Sequence, residues 1–360
     1  MPRAATRGHR DRDANRDFEM KALQLEKPRE WRIIDIDEPP APGPGDAVVR
    51  VHRVGICGTD FGGYLGKMPF FSYPRIPGHE LGVEVVAVGE GVANVRIGDR
   101  CAVEPYINCQ KCHSCRRGLT NCCQSNQTLG VHCDGGLRRL FTVPARKLHV
   151  SGKLGFAPLA LVEALAIGCH AVNRGGPVAG ETALVIGAGP IGLSTIEFTK
   201  LSGARTIVLD VNEQRLEFVR RVMGVPDTVL VRGDGSELEA VEALTGGDFA
   251  EVVVDATGSN KSMSGALQYC SFGGRLVYVG ITQAEVSFAH APILHRRELT
   301  LMASRNALAP DFARIIALIE EGRIDTRPWI THEAGFDDVP AVFPVWMDPA
   351  SGVIKAMVAL

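Results

Sequence analysis

One run, Gly187-Ala188-Gly189-Pro190-Ile191-Gly192, limits what this chain can fold into more than any other. It follows an apolar stretch with strand character, Ala183–Ile186, and opens a helix-compatible stretch, Ile191–Ser202. In that setting each glycine has a steric task. Gly187 permits the tight turn, Gly189 lets the backbone approach a pyrophosphate, and Gly192 lets helix and strand pack closely. Pro190 and Ile191 complete the loop, and the helix N-terminus favours the phosphate's charge. Asp210 ends the next strand, eighteen residues past Gly192. A carboxylate there accepts both ribose hydroxyls and repels a 2′-phosphate, which selects NAD over NADP. Arg215, one helical turn on, lies along the adenosine. A helix N-cap role for Asp210 or Asn212 is the competing reading.

The surroundings of that run alternate as a doubly wound parallel sheet requires. Strands are expected at Ala183–Ile186, Thr206–Asp210, Thr228–Val231, Glu251–Ala256 and Arg275–Val279, with helices at Ile191–Ser202, Glu213–Met223 and Leu238–Leu244 between them. Leu159–Asn173 precedes them as an apolar helix, and Asp311–Glu321 follows as another. Upstream, from Met20 to about Pro144, short strands are broken by Gly and Pro, the mark of a barrel or sandwich. The chain of 360 residues is long enough for both units. The expected division is 20–170 for the first domain, 171–305 for the cofactor domain, and 306–360 returning to the first. Residues 1–19 alternate Arg with Asp and Glu without apolar periodicity, and are expected to be a disordered tail.

With 39 basic and 41 acidic side chains, no charge excess points to nucleic acid or a membrane surface. No stretch reads as long and apolar enough to cross a bilayer. The segment before Met20 lacks a secretory apolar run, so a reducing, cytoplasmic compartment is expected. The cysteines are then read as metal ligands rather than disulfides. Cys109, Cys112, Cys115 and Cys123 place four thiolates in fifteen positions, in a lobe spanning 105–125. Four thiolates close a tetrahedral sphere, so this zinc is structural. Cys122 competes with Cys123 for the fourth place, and Cys123 is chosen. Cys101, Cys133, Cys169 and Cys270 stand alone and are expected to be buried.

A second metal site is carried by Gly55-Ile56-Cys57-Gly58-Thr59-Asp60 and Pro77-Gly78-His79-Glu80. Cys57 offers a soft thiolate and His79 a borderline imidazole, a pair suited to zinc. Thr59 sets a hydroxyl two residues from the thiolate, where it can pass a proton.

Thiolate–histidine site, four-cysteine lobe and dinucleotide loop, in this order, resemble the zinc-dependent medium-chain alcohol and polyol dehydrogenases. The resemblance runs from about Met20 to Leu360. It implies a GroES-like barrel domain and a Rossmann domain with the active site between them, two zinc ions per chain, NAD, and a homo-oligomer, dimer or tetramer. It implies that Cys57 and His79 ligate the catalytic zinc, with Glu163 as the acidic third ligand and Glu80 beside the metal, directly or through water. Two positions depart from the family. Ala164 stands where a proline usually follows the glutamate, and Gly62 where many members carry a relay histidine. Thr59 then hands its proton to water, to cofactor hydroxyls or to another residue. The Gly280 turn and Arg305 fall where the family approaches nicotinamide and substrate.

Local runs, among them Pro69–Arg75, Gly130-Val131-His132 and Ser304-Arg305-Asn306, are similar to the branch that oxidises C5 of hexonates such as L-galactonate and L-gulonate. A small-molecule sugar acid needs a cation for its carboxylate. Arg305 is the first candidate, with Arg75 and His132 behind it, and for those two a surface ion pair competes. L-Threonine or polyol dehydrogenase shares every motif above. A non-catalytic NAD- and zinc-binding protein is the reading from another class.

Overall fold

The computed structural model describes residues 19–360, so the expectation of a disordered tail lies outside the described residues except at Glu19. A hairpin, β1 (Glu19–Lys27) and β2 (Glu30–Asp37), comes first. It is followed by β3 (Asp46–Ile56), the short helix α1 (Gly58–Tyr64), β4 (Glu80–Val88) and β5 (Arg100–Val103). A small lobe then holds β6 (Tyr106–Ile107), α2 (His113–Arg116), a 3-10 turn over Thr120–Cys122, and β7 (Gln127–Thr128). β8 (Leu140–Pro144) and β9 (Leu148–Ser151) close this region.

α3 (Phe156–Gly175) leads into β10 (Thr182–Ile186), α4 (Pro190–Ser202), β11 (Arg205–Asp210), α5 (Glu213–Arg221) and β12 (Thr228–Leu230). α6 (Ser236–Leu244), β13 (Ala250–Asp255), α7 (Asn260–Gly265), β14 (Cys270–Tyr278) and β15 (Thr300–Ala303) continue the alternation. α8 (Ala309–Glu320), β16 (Ile330–Gly335), α9 (Val339–Trp346) and β17 (Lys355–Ala359) complete the chain.

Two sheets carry the architecture. The six-stranded sheet runs β12-β11-β10-β13-β14-β15 and is parallel throughout. Its four inner strands, β11, β10, β13 and β14, are mostly buried and apolar, as expected where helices cover both faces. The strand order reverses beside β10, and a crevice opens there at the carboxyl ends, over the glycine loop. The seven-stranded sheet runs β16-β17-β3-β4-β5-β9, with β8 also paired to β3. β17 inserts between β16 and β3, antiparallel to β3 with Ala356 opposite Ile56. A GroES-like barrel domain and a Rossmann domain therefore both form as expected.

α3 corrects the expectation about membranes. Its twenty residues are long and apolar enough to cross one by length and composition, yet most are buried inside the protein. Leu159, Leu161, Val162, Leu165 and Ala166 pack in one core with Ile196, Phe198 and Ile315. The helix is apolar all round because protein surrounds it. It sits against β4 so closely that a Cβ on Gly82 would lie 2.0 Å from the Phe156 carbonyl oxygen.

Candidate active site

β3 ends at Ile56, and Cys57 caps the N-terminus of α1, its backbone N–H donating to Asp60 Oδ2 at 2.9 Å. The residue after the loop, His79, precedes β4, and β3 and β4 pair side by side with Gly55 opposite Glu80. This pairing brings Cys57, His79 and Glu80 together: one ligand atom from each lies within 4.8 Å of the others. Gly55 is required by sterics, since a Cβ there would meet Glu80 Oε2 at 2.1 Å.

Three further groups surround this cluster. Asp60, buried, sets Oδ1 3.7 Å from His79 Nδ1, and neither atom has a hydrogen-bond partner. A carboxylate on Nδ1 fixes the imidazole and leaves Nε2 as the donor atom for a metal. Burial alone would push His79 down, but Asp60, with Cys57 and Glu163, lifts it well above its ordinary value. Lys355, on β17, donates from Nζ to both oxygens of Glu80 at 2.6 and 2.7 Å, and to the Ile56 carbonyl at 3.2 Å. Glu163, on α3, accepts from the Tyr106 hydroxyl. Burial raises the Glu163 carboxyl above the usual range while His79 draws it down. Proximity thus groups Glu80 with Cys57 and His79, whereas the charge balance favours Glu163. Lys355 neutralises Glu80, whereas Glu163 has no cationic side-chain hydrogen-bond partner among the described residues. A thiolate, an imidazole with a carboxylate behind it, and a buried carboxylate fit zinc.

Thr59, half-buried in the first turn of α1, has no side-chain hydrogen bond among the described residues. Gly62 follows on the same helix, where a Cβ would make ordinary contact with Met68.

In the lobe, the sulfurs of Cys109, Cys112, Cys115 and Cys123 all lie within 4.8 Å of one another. Cys122 is exposed and outside the group. The backbone N–H of Cys109 donates to Cys123 Sγ and that of Cys112 to Cys109 Sγ, both at 3.3 Å, and Asn108 Nδ2 donates to Cys115 Sγ at 3.4 Å. Donors aimed at sulfur are what a thiolate cage needs, so this set also fits zinc. Cys101, Cys169 and Cys270 are buried, and burial pushes each thiol up to about 12. Cys133 is only half-buried.

At the crevice, Gly187 adopts φ +98°, and a Cβ on Gly192 would lie 1.8 Å from the Gly187 carbonyl oxygen. Gly189 caps α4, with Pro190 and Ile191 in its first turn. Asp210 accepts from Ala188 N at 2.6 Å and Asn212 N at 2.8 Å, which ties the end of β11 to the glycine loop. Asn212 is the cap of α5, accepting from Gln214 N and Arg215 N, so Asp210 is not. A Cβ on Gly189 would stand 3.6 Å from Arg215 Nη1, so that guanidinium lies against the loop. Gly280 crosses Gly258 so tightly that its Cβ would be 2.2 Å from the Gly258 nitrogen.

The three substrate candidates separate. Arg75 is held by Asp134 Oδ1 at 3.1 Å and Ser72 Oγ at 2.5 Å, a structural ion pair rather than a free cation. His132 stacks on Phe70 and accepts at Nδ1 from Thr128 N at 3.1 Å. Burial, with the Arg305 and Arg75 cations, pushes it below its ordinary value. Arg305 is exposed, and its side chain has no ion-pair partner among the described residues. Asp60, Lys355, Tyr106 and Asn121 were not foreseen as site residues. Asp60 was legible three places after Cys57, whereas Lys355 carries no local signal.

This pairing of a GroES-like domain and a Rossmann crevice around a cysteine–histidine–carboxylate cluster defines a zinc-type dehydrogenase. Residues 43–152 match the family model of the alcohol dehydrogenase GroES-like domain, and residues 190–321 that of the zinc-binding dehydrogenase. The chain belongs to the zinc-binding medium-chain alcohol dehydrogenase family, oxidoreductases that act on CH–OH donors. It is 38% identical to the L-galactonate-5-dehydrogenase of Escherichia coli, over 88% of this chain and 92% of that one. It is 34% identical to the 2-dehydro-3-deoxy-L-galactonate 5-dehydrogenase of Pseudoalteromonas atlantica, over 88% and 92%. A crystal structure of an alcohol dehydrogenase from E. coli CFT073 complexed with NADH superposes with a TM-score of 0.87, at 29% identity, covering 95% of this chain and 100% of that one.

Proposed function

We propose that this chain oxidises a secondary hydroxyl of a sugar acid, C5 of a hexonate of the L-galactonate or L-gulonate type, and passes the hydride to NAD. The observation that carries this reading is Arg305. It is an exposed cation on the loop after β15, unpaired among the described residues and near enough to His132 to depress its imidazole. A guanidinium in that state suits a carboxylate, which it can bind through two parallel hydrogen bonds. His132, with Nδ1 already an acceptor, offers Nε2–H to a substrate oxygen. Similarity to two hexonate-type dehydrogenases points the same way.

Cys57, His79 and Glu163 would hold the catalytic zinc, with Glu80 behind them, and Cys109, Cys112, Cys115 and Cys123 the structural one. When bound, the catalytic ion supplies Lewis-acid polarisation of a substrate oxygen. Asp60 keeps His79 oriented. Thr59 Oγ takes the hydroxyl proton and passes it to water, because Gly62 has no side chain to receive it. Gly187, Gly189 and Gly192 leave room for the pyrophosphate, and the α4 N-terminus faces its charge. Asp210 accepts from the ribose hydroxyls and disfavours a 2′-phosphate, so NAD is the expected cofactor. Residues 20–170 and 306–360 form the catalytic domain in this reading and 171–305 the cofactor domain. A homo-oligomer belongs to the proposal as well: β15 leaves the parallel sheet with an open edge on which Leu301 is exposed, and light scattering reads its occupancy.

The test is a panel of hexonates, hexitols and other polyols, L-threonine and simple primary alcohols, each with NAD and with NADP, followed by reduced-cofactor absorbance. Hexonate turnover with NAD is expected to dominate. Arg305→Ala should lower hexonate kcat/KM about a hundredfold, as expected for loss of one partner of a charge pair, with a much smaller effect on a hexitol. Turnover of primary alcohols alone would overturn the sugar-acid reading, and L-threonine or polyol turnover would reassign the substrate.

A further inference from the structure

The cysteine lobe and the Arg305 loop are joined by side chains that neither the zinc chemistry nor hydride transfer calls for. Asn121 sits in the lobe's 3-10 turn, between Cys115 and Cys123, and is only 4% exposed. Its Nδ2 donates to the Arg305 carbonyl at 2.9 Å and lies 3.1 Å from His170 Nε2. An amide nitrogen has two hydrogens, so both contacts can be donated at once. His170 Nε2 is then the acceptor and Nδ1–H the donor, and Nδ1 faces Asp311 Oδ2 at 3.3 Å. Asp311 also accepts from Leu308 N at 3.0 Å, capping α8 directly after the loop. From the other side, Asn306, at φ +53°, donates to the Asn121 carbonyl at 3.4 Å. Two neighbouring polar atoms, Asn121 Oδ1 and Ser304 Oγ, are buried with no partner.

We infer that Asn121 is a positioning residue for Arg305, so that the cysteine lobe sets the preference for acidic over neutral substrates. The inference rests on the reading of Arg305 as the carboxylate anchor. The physical case is one of ordering cost. Arg305 is a long, exposed side chain with no ion-pair partner of its own. The backbone it hangs from is fixed by Asn121 on one side and the His170–Asp311 pair on the other. Binding then has to order the side chain alone and not the loop beneath it. Thr120–Cys122 is held in turn by Cys123, whose backbone N–H donates to the Thr120 carbonyl at 3.2 Å.

The experiment compares the zinc-loaded parent with Asn121→Ala and the volume-matched Asn121→Asp, using NAD, a hexonate and its hexitol. Asn121→Asp replaces the donor with an acceptor facing the Arg305 carbonyl. The hexonate-to-hexitol ratio of kcat/KM is expected to fall about tenfold, mainly through hexonate KM, as for loss of a buried hydrogen bond that orders a charged group. In an Arg305→Ala background the same substitutions should change the ratio by less than about twofold, because the two residues act as one unit. Asn306→Gly, which suits the left-handed backbone and leaves the lobe intact, should move the ratio in the same direction. It decides the matter if both Asn121 variants lose their zinc. An unchanged ratio in folded variants, while Arg305→Ala lowers it, would overturn the inference and leave the carboxylate reading standing. An unchanged ratio in Arg305→Ala itself would overturn that reading and the inference with it.

Discussion

Lys355 illustrates how much one side chain can matter here. It and Glu80 are each no more than 1% exposed, with both carboxylate oxygens on the ammonium. Removing one member of such a pair leaves a buried charge without compensation, which costs about 3–5 kcal/mol. Lys355→Met should show that loss in urea unfolding, and Glu80→Gln added to it should recover a large part. His132 gives a pH prediction. Its folded value lies below the ordinary imidazole value, so it contributes stability above about pH 6.5 that is lost as the pH falls through the depressed value. Protonation would also set a second N–H against that of Thr128. His132→Gln should therefore lose less stability than the parent between pH 7 and pH 5, read as the shift in urea midpoint. The candidate ligands Cys57 and His79 stood out in the sequence because glycines flank them in compact runs. Lys355 was not legible, because its partner lies 275 positions away and nothing near it in sequence marks it.

The glycine loop between β10 and α4 depends on closeness of backbone to backbone. Any side chain on Gly192 collides with the Gly187 carbonyl, so Gly192→Ala should cost about 1–3 kcal/mol of stability and weaken NADH binding, checked by thermal melting and fluorescence titration. Gly62→Ala, with only ordinary contact to Met68, should melt as the parent does. The parallel strands β10 to β14 were readable because doubly covered strands are continuous apolar runs. β15 escaped notice because it is four residues long, at the sheet edge, and mostly exposed. β2 escaped for a related reason: none of its residues is buried, and Arg32, Ile33, Asp35 and Asp37 are exposed among its apolar residues. α9 was obscured by Pro340 and by Pro344 inside the helix.

Two metal sites in one chain should behave as separable modules. Metal analysis of the purified protein is expected to find about two zinc ions per chain. Cys112→Ser should bring that to about one and lower the melting temperature, since zinc would tie together four sulfurs otherwise held by weak N–H···S hydrogen bonds. Cys57→Ser should also bring it to about one but abolish turnover with little change in melting. The sheet around the catalytic cluster adds a constraint on how the molecule is made. β17 lies between β16 and β3, and its Lys355 reaches back 299 positions to the Ile56 carbonyl. A nascent polypeptide emerging from the ribosome must therefore extend some three hundred residues beyond β3, as far as β17, before β3 gains this neighbour. Until then it exposes an unpaired strand flank beside an uncompensated Glu80, the kind of surface on which chaperones act.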